Sequence, residues 1–387
     1  MKQAIIFGAG NIGRGFMGQL FSEAGYAVTF ADVDRTLLDA LNARRSYTIR
    51  LVTNERTEAV QVGPVAALHS GEVDAVADVL ARAEIGATAV GAGVLTHVAP
   101  LVAQGIRRRA ERDNREPFNL ILCENLHGAA GIFRSMVLSH LPETLHPFAR
   151  EHIGFVDTVI ARMVPPLTPE LRAADPSLIV VEPYKELPVD RDAFIGPIPM
   201  IAGMIPHSPF AFFTERKLYI HNAGHATLGY LGYLRGYEYG YEALADDEIY
   251  FQARGAMEES ALALTRKFRP PQGALLANID DLLHRFGNRA LGDTILRLGR
   301  DPLRKLSPGD RLTGAAVNAL AQGVTPVHLV TGIAAGLRFA HAGDPVAQAL
   351  QARIGTDGIE KVASEVTGLA ARSPLLSQVL ARYAALG

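Results

Sequence analysis

Gln3-Ala4-Ile5-Ile6-Phe7-Gly8-Ala9-Gly10-Asn11-Ile12-Gly13 stands almost at the start of the chain, and its reading decides the architecture of the first half. Residues 3 to 7, with the apolar run Ala4-Ile5-Ile6-Phe7, read as a parallel strand buried on both faces. A G-x-G-x-x-G turn follows, and Phe16, Leu20, Phe21 and Ala24 then fall at helical spacing. In such a strand–turn–helix unit Gly8 permits the tight turn, Gly10 lets backbone N–H groups approach a pyrophosphate, and Gly13 lets helix and strand pack closely. Ala9, Asn11 and Ile12 complete a loop that places phosphates at the positive helix terminus. A second strand, Ala27 to Ala31, ends at Asp32, where a carboxylate accepts hydrogen bonds from a ribose 2′-hydroxyl and repels a 2′-phosphate. NAD is therefore expected rather than NADP, although Arg35 nearby would suit a phosphate.

Apolar or alternating runs continue at 47–52, 59–65, 88–91 and 119–123, with helical patterns at 73–83 and 95–109 between them. Strands alternating with helices predict a doubly wound parallel sheet, whose ligands bind beyond the carboxyl ends of the strands. That rule puts Gly91 to Gly93 and Glu124-Asn125 at the mouth of a site. Asn125 is thus a candidate carboxamide near a reacting carbon, or a turn residue after a strand. Further apolar segments occupy 153–164, broken by Pro165-Pro166, and 178–181. From about Ala193 the texture changes. Gly196-Pro197-Ile198-Pro199 reads as a linker, and helical periodicity follows at 211–234, 248–267, 275–286, 311–321, 327–341, 345–354 and 358–369. The expected fold is a Rossmann-like α/β domain over residues 1–192 and an all-helical domain over 193–387.

Length and composition agree with two domains: 387 residues are too many for one ordinary core, and 48% are hydrophobic. A net charge of −2 gives no whole-molecule field for nucleic acid or an anionic membrane. The single cysteine, Cys123, excludes internal disulfides and fits a reducing cytoplasm. The first apolar run is too short for a signal segment, and 91–105 falls short of the roughly 20 residues that span a bilayer. A soluble protein is expected. No heptad seam is visible from which to read an oligomer.

Arg216-Lys217-Leu218-Tyr219-Ile220-His221-Asn222-Ala223-Gly224-His225 brings an amine, a carboxamide and an imidazole together. On an ideal helix, at about 100° per residue, Lys217 and His225 lie roughly 80° apart and Asn222 and His225 roughly 60° apart. One broad face could carry all three, or a helix could start near Asn222 and leave Lys217 on the approaching chain. Oxidising a secondary alcohol needs a base for the hydroxyl proton and donors for the charge that develops on oxygen. Lys217 would be that base if desolvation lowers its pKa. Asn222 would donate to the oxygen and His225 would position it. Taken alone, the three are more often a solvated lysine, a cap and a satisfied half-buried histidine. Between residues 285 and 311 seven basic residues (Arg285, Arg289, Arg297, Arg300, Arg304, Lys305, Arg311) face three acidic ones (Asp293, Asp301, Asp310). Arg300, Arg304, Lys305 and Arg311 are candidates for a substrate phosphate. A surface of salt bridges is the competing reading.

Gly8 to Gly15, Lys217-x4-Asn222-x2-His225, Gly299-Arg300-Asp301-Pro302-Leu303-Arg304-Lys305-Leu306 and Asp310-Arg311-Leu312 together carry a resemblance. The chain resembles, over essentially its whole length, the long-chain, metal-independent polyol dehydrogenases, and among them the mannitol-1-phosphate 5-dehydrogenases. The resemblance implies reversible conversion of mannitol 1-phosphate and NAD+ to fructose 6-phosphate and NADH. It also implies Lys217 as general acid/base, Asn222 and Asn125 on the alkoxide-like oxygen, and His225 beside it. Metal is not expected, since no H-x-x-E-H or H-E-x-x-H spacing is present. Two departures stand out. Relatives commonly read Val-Asp-Arg where this chain has Ile160-Ala161-Arg162, so a carboxylate is missing unless Asp157 supplies it. They commonly read Arg-Phe-Glu-Asn-Pro where this chain has Arg285-Phe286-Gly287-Asn288-Arg289. The alternatives are a hexuronate or unphosphorylated-polyol oxidoreductase, an oxidative decarboxylase of β-hydroxy acids, and a non-catalytic dinucleotide sensor.

Overall fold

The computed structural model describes residues 2–165 and 167–387, and the chain divides into two compact units, Met1–Ala211 and Phe212–Gly387. Pro166, half of the pair expected to break the 153–164 segment, lies outside the described residues.

The first unit has eleven strands among its described residues: β1 Lys2–Phe7, β2 Tyr26–Asp32, β3 Tyr47–Val52, β4 Thr57–Val62, β5 Val65–His69, β6 Ile85–Thr88, β7 Phe118–Leu122, β8 Ile153–Asp157, β9 Ile179–Val181, β10 Leu187–Asp190 and β11 Met204–His207. Six of them form one sheet in the order β5-β2-β1-β6-β7-β8, with every pair parallel. The strand order reverses at β1, which lies between β2 and β6, so the crevice for a ligand opens there. The period of two along β1 sorts its side chains into two layers. Ala4 and Ile6 pack with Phe16, Met17, Leu20 and Val28, whereas Ile5 and Phe7 pack with Val76, Leu80, Val98 and Val102. Both faces are covered, which is why Ala4 to Phe7 contains no polar residue.

Three expectations are corrected. The runs at 47–52 and 59–65 are not consecutive strands of the main sheet. β3 and β4 pair antiparallel, β9 joins β3, and the three form a side sheet; the third strand on the β2 side is β5, which begins at Val65. Periodicity cannot distinguish these, because a half-buried hairpin and a sheet strand share the same alternation. The run at 88–91 is mostly loop, since β6 ends at Thr88. Gly196-Pro197-Ile198-Pro199 is not a linker between the units. Asn119 on β7 grips Ile195 at both backbone groups (2.9 and 3.0 Å), and β11 beyond it pairs with β10 in the first unit.

In the second unit the helix Asn222–Leu234 is buried along nearly its whole length. Glycines let its neighbours approach: a Cβ on Gly229 or Gly232 would lie 2.6 Å from Leu298 or Ile295, and one on Gly332 of the helix Val327–Leu337 would lie 2.6 Å from Thr227 Oγ1. Short helices Gly240–Leu244, Ile295–Gly299 and Pro302–Lys305, and the last helix Pro374–Ala385, were not visible as periodic patterns. The first three are about one turn each. Among the described residues no helix is long and apolar enough to cross a membrane.

The glycine loop yields a direct test. A Cβ on Gly13 would run into the carbonyl oxygen of Gly8, whereas one on Gly10 would meet nothing within 4 Å. In denaturant unfolding without ligand, Gly13→Ala is expected to cost about 1–3 kcal/mol and Gly10→Ala to stay within about 0.5 kcal/mol of wild type.

Candidate active site

At the carboxyl edge of β1, Gly8 turns with φ +97° so close to β6 that a Cβ would lie 2.6 Å from the Ala89 carbonyl oxygen. The helix that follows contains a π turn at Gly13–Gly18. Arg14 in that turn is buried and donates from Nε to the Ala9 carbonyl (2.5 Å), while its Nη1 donates to the Ser177 carbonyl, so the loop is tied down from within. Arg162, also buried, donates to the carbonyls of Gly15 (2.9 Å) and Glu182 (2.8 Å) and to Gln19 (2.7 Å). That explains why an arginine follows Ala161. Asp157 is already engaged: it accepts the Ala130 N–H (2.9 Å) at the start of the helix Ala129–Ser139, and burial pushes its pKa up.

Asp32 lies at the carboxyl end of β2. Its Oδ1 accepts the Val33 and Asp34 N–H groups (2.7 and 3.1 Å), and its Oδ2 accepts the Ala9 N–H (2.6 Å). Oδ2 keeps a lone pair for a further donor. Gly91 has φ +90° and open space about its Cα, and Glu124 holds that loop by accepting the Val90 and Gly91 N–H groups (3.1 and 2.7 Å). Asn11 and Ile12 sit at the start of the helix, and Asn125 is exposed just beyond β7. Space at Gly10 and Gly91, a helix N-terminus and a carboxylate with spare accepting capacity fit a dinucleotide.

In the second unit the Lys217 segment is neither of the two arrangements expected. The helix is continuous from Ala211, but Arg216–His221 is a π turn, closed by the Asn222 N–H donating to the Lys217 carbonyl five residues back. On an α-helix residues five apart lie roughly 140° apart; in a π turn that step is hydrogen-bonded and passes a full turn by a smaller angle. Asn222 is thereby brought toward the Lys217 face, and His225 follows it on regular α-helix. Loss of water, reinforced by the charge of Arg311, lowers the Lys217 amine to about 8.

His225 stacks on Phe286 (4.6 Å between ring centroids, 17° between planes), and His221 meets it edge-on at 5.9 Å. The Nε2 of His225 lies 3.7 Å from Asp293 Oδ2. Burial lowers the pKa of His225, against the opposing effect of Asp293. The Phe286-Gly287-Asn288 departure leaves this stack in place. Asn288 caps the next turn by accepting the Ala290 N–H, and Gly287 sits at φ −76°, where most residues fit. Phe286, Asp293, Arg14 and Arg162 are the neighbours that the sequence did not single out for these roles.

The basic cluster is partly internal. Arg297 pairs with Asp293, Arg285 with Asp281 at 3.2 Å, Arg304 with Asp301 at 2.9 Å, and Arg311 with Asp310 at 2.7 Å. Lys305 is buried and donates to the Leu298 carbonyl (2.5 Å), whereas Arg300 is exposed. Burial, together with the charges of Arg311, Arg304 and Arg300, pulls the Lys305 amine down to about 7 from 10.5. Between those values the unfolded chain carries a proton that the folded chain lacks, so stability rises with pH across that window. Without ligand, the melting temperature of wild type relative to Lys305→Met is expected to climb between pH 7 and about 10. A pH-independent difference would contradict this.

Residues 2–203 match the Mannitol dehydrogenase Rossmann domain, and residues 210–386 match the Mannitol dehydrogenase C-terminal domain. The fold is similar to that of the Pseudomonas fluorescens mannitol 2-dehydrogenase in its ternary complex with NAD and D-mannitol (TM-score 0.75, 18% identity, 100% of this chain and 92% of that one). It is also similar to a D-sorbitol dehydrogenase in substrate-free form (TM-score 0.82, 18% identity, 98% and 91%). With both domains matched in order over nearly all of its length, the chain belongs to the mannitol dehydrogenase family.

Proposed function

We propose that this protein is an NAD-dependent polyol-phosphate dehydrogenase that interconverts D-mannitol 1-phosphate and D-fructose 6-phosphate, with Lys217 as general acid/base. The observation that carries this reading is the desolvated amine of Lys217 on a π turn beside Arg311. At pH 7 an amine with a pKa of about 8 is neutral in roughly one molecule in ten, against about one in three thousand at the ordinary value of 10.5. Bound NAD+ supplies the hydride acceptor. Lys217 takes the hydroxyl proton, the Asn222 amide donates to the oxygen as it becomes carbonyl, and His225 holds a neighbouring hydroxyl. Asn125 is the second proposed donor to that oxygen. The glycine loop with Asp32 and Gly91 is the proposed cofactor cradle, and Asp32 is the reason for preferring NAD.

Arg300, Arg304, Lys305 and Arg311 are the proposed phosphate ligands. Arg311 supports this assignment because its charge is felt at the Lys217 amine. A second reading, oxidation of the free polyol, draws on the internal partners of Arg304, Lys305 and Arg311, and on D-mannitol as the ligand of a protein of similar fold. Specificity constants for D-mannitol 1-phosphate and D-mannitol separate the two. The phosphate reading expects Arg300→Ala and Arg311→Ala to raise KM for the phosphorylated polyol at least tenfold, each lost charged hydrogen bond being worth about 1.5–3 kcal/mol. Comparable constants for both polyols would establish the second reading.

Lys217→Ala is expected to lower kcat/KM for the polyol by about 10²- to 10⁴-fold, with NAD affinity by fluorescence titration changed little. Because the base works as the neutral amine, polyol oxidation by wild type should rise with pH through about 8. Carbonyl reduction, which needs the ammonium form, should fall over the same range. Turnover unchanged in Lys217→Ala would remove the assignment.

A further inference from the structure

Asp293 reaches His225 from a separate segment whose backbone is fixed on both sides. Gly292, at φ +57°, turns the chain immediately before it. The Asp293 carbonyl accepts the Gly240 N–H (2.8 Å), Thr294 bridges Tyr239, and the Ile295 N–H donates to the Glu238 carbonyl (2.8 Å). The carboxylate is buried, and Arg297, one helical turn on, pairs with Oδ1. That leaves Oδ2 for His225 Nε2 at 3.7 Å. The imidazole has little freedom to turn away, since it is stacked on Phe286 on one face and met edge-on by His221. About a quarter of the His225 side chain, 23%, stays open.

We propose that Asp293 is a positioning residue for polyol oxidation: it keeps the proton of His225 on Nε2, so that Nδ1 is left as a lone-pair acceptor for a substrate hydroxyl hydrogen. A neutral imidazole has one donor and one acceptor nitrogen, and the group facing one nitrogen decides the other. A carboxylate only accepts, so its charge 3.7 Å away favours the tautomer with the hydrogen on Nε2. His225 then selects for a hydroxyl next to the reacting carbon, because a carbonyl or ether oxygen at that place has no hydrogen to give. Arg297 keeps the carboxylate charged and aimed. The inference rests on His225 contacting substrate, as in the reading above.

The tautomer is read directly by ¹⁵N spectroscopy of the full-length protein labelled at histidine, with the His225 signal assigned by its loss in His225→Ala. A protonated Nε2 and an unprotonated Nδ1 are expected in wild type, and protonated Nδ1 would overturn the proposal even if no Asp293 variant folded. Kinetics with D-mannitol 1-phosphate, or with D-mannitol should the free polyol be the better substrate, supply the second arm. Asp293→Asn is expected to cut kcat/KM for the polyol at least tenfold with NAD affinity unchanged, and to have no further effect in a His225→Ala background. Full additivity of the two substitutions would overturn the proposal while leaving His225 in its assigned place. If His225→Ala alone left kcat/KM unchanged, the assignment of His225 itself would fall, and this inference with it.

Discussion

Desolvation of the Lys217 amine, reinforced by the positive charge of Arg311, is the constraint on which the proposed chemistry depends. An ammonium ion loses much of its solvation when water is removed, and a second cation nearby makes the charged form costlier still. The fold supplies both conditions locally. The helix that carries Lys217 continues into Asn222–Leu234, which is packed on nearly all sides, so the lysine enters the unit on a rigid support rather than on a loop. The π turn between them adds one residue to the turn and changes which side chains share a face. Such insertions occur frequently at functional sites, because a regular helix cannot offer the same set of directions.

The glycine loop of the first unit applies the same logic to the backbone. Gly8 and Gly13 are pressed against Ala89 and Gly8 respectively, and Gly10 faces open space. Arg14 and Arg162 hold the carbonyls of Ala9, Gly15 and Glu182 from inside. Two buried guanidinium groups with several carbonyl partners each form a stiff frame, and that frame is why the loop keeps its shape without depending on its own weak turn propensity.

Much of this could be read from residues alone. The β1–glycine–helix unit, the end of β2 at Asp32 and the long helices of the second unit announce themselves because one local period or one turn motif determines each. What escaped was set by tertiary context. The hairpin of β3 and β4 alternates like any sheet strand, and only its partners reveal that it stands aside from the main sheet. The Gly196–Pro199 stretch has the composition of a linker, but the adjoining Ile195 is fastened by Asn119, a residue 76 positions earlier. The π turn at Arg216–His221 leaves no sign in hydrophobic spacing, so angles taken from an ideal helix misplace Asn222 relative to Lys217. Asp293 was visible only as an acidic residue in a basic stretch. Its place beside His225 arises from the β-bridge between its neighbour Thr294 and Tyr239, which no local pattern encodes.

The most direct measurement is the titration of the Lys217 amine itself. The chain has only six lysines, Lys2, Lys185, Lys217, Lys267, Lys305 and Lys361, so ¹³C-lysine spectra are sparse enough to assign by substitution. The account predicts that the Lys217 side-chain resonance titrates near pH 8, and that Arg311→Leu moves the midpoint upward. A midpoint in the ordinary range of lysines, unmoved by Arg311→Leu, would contradict it.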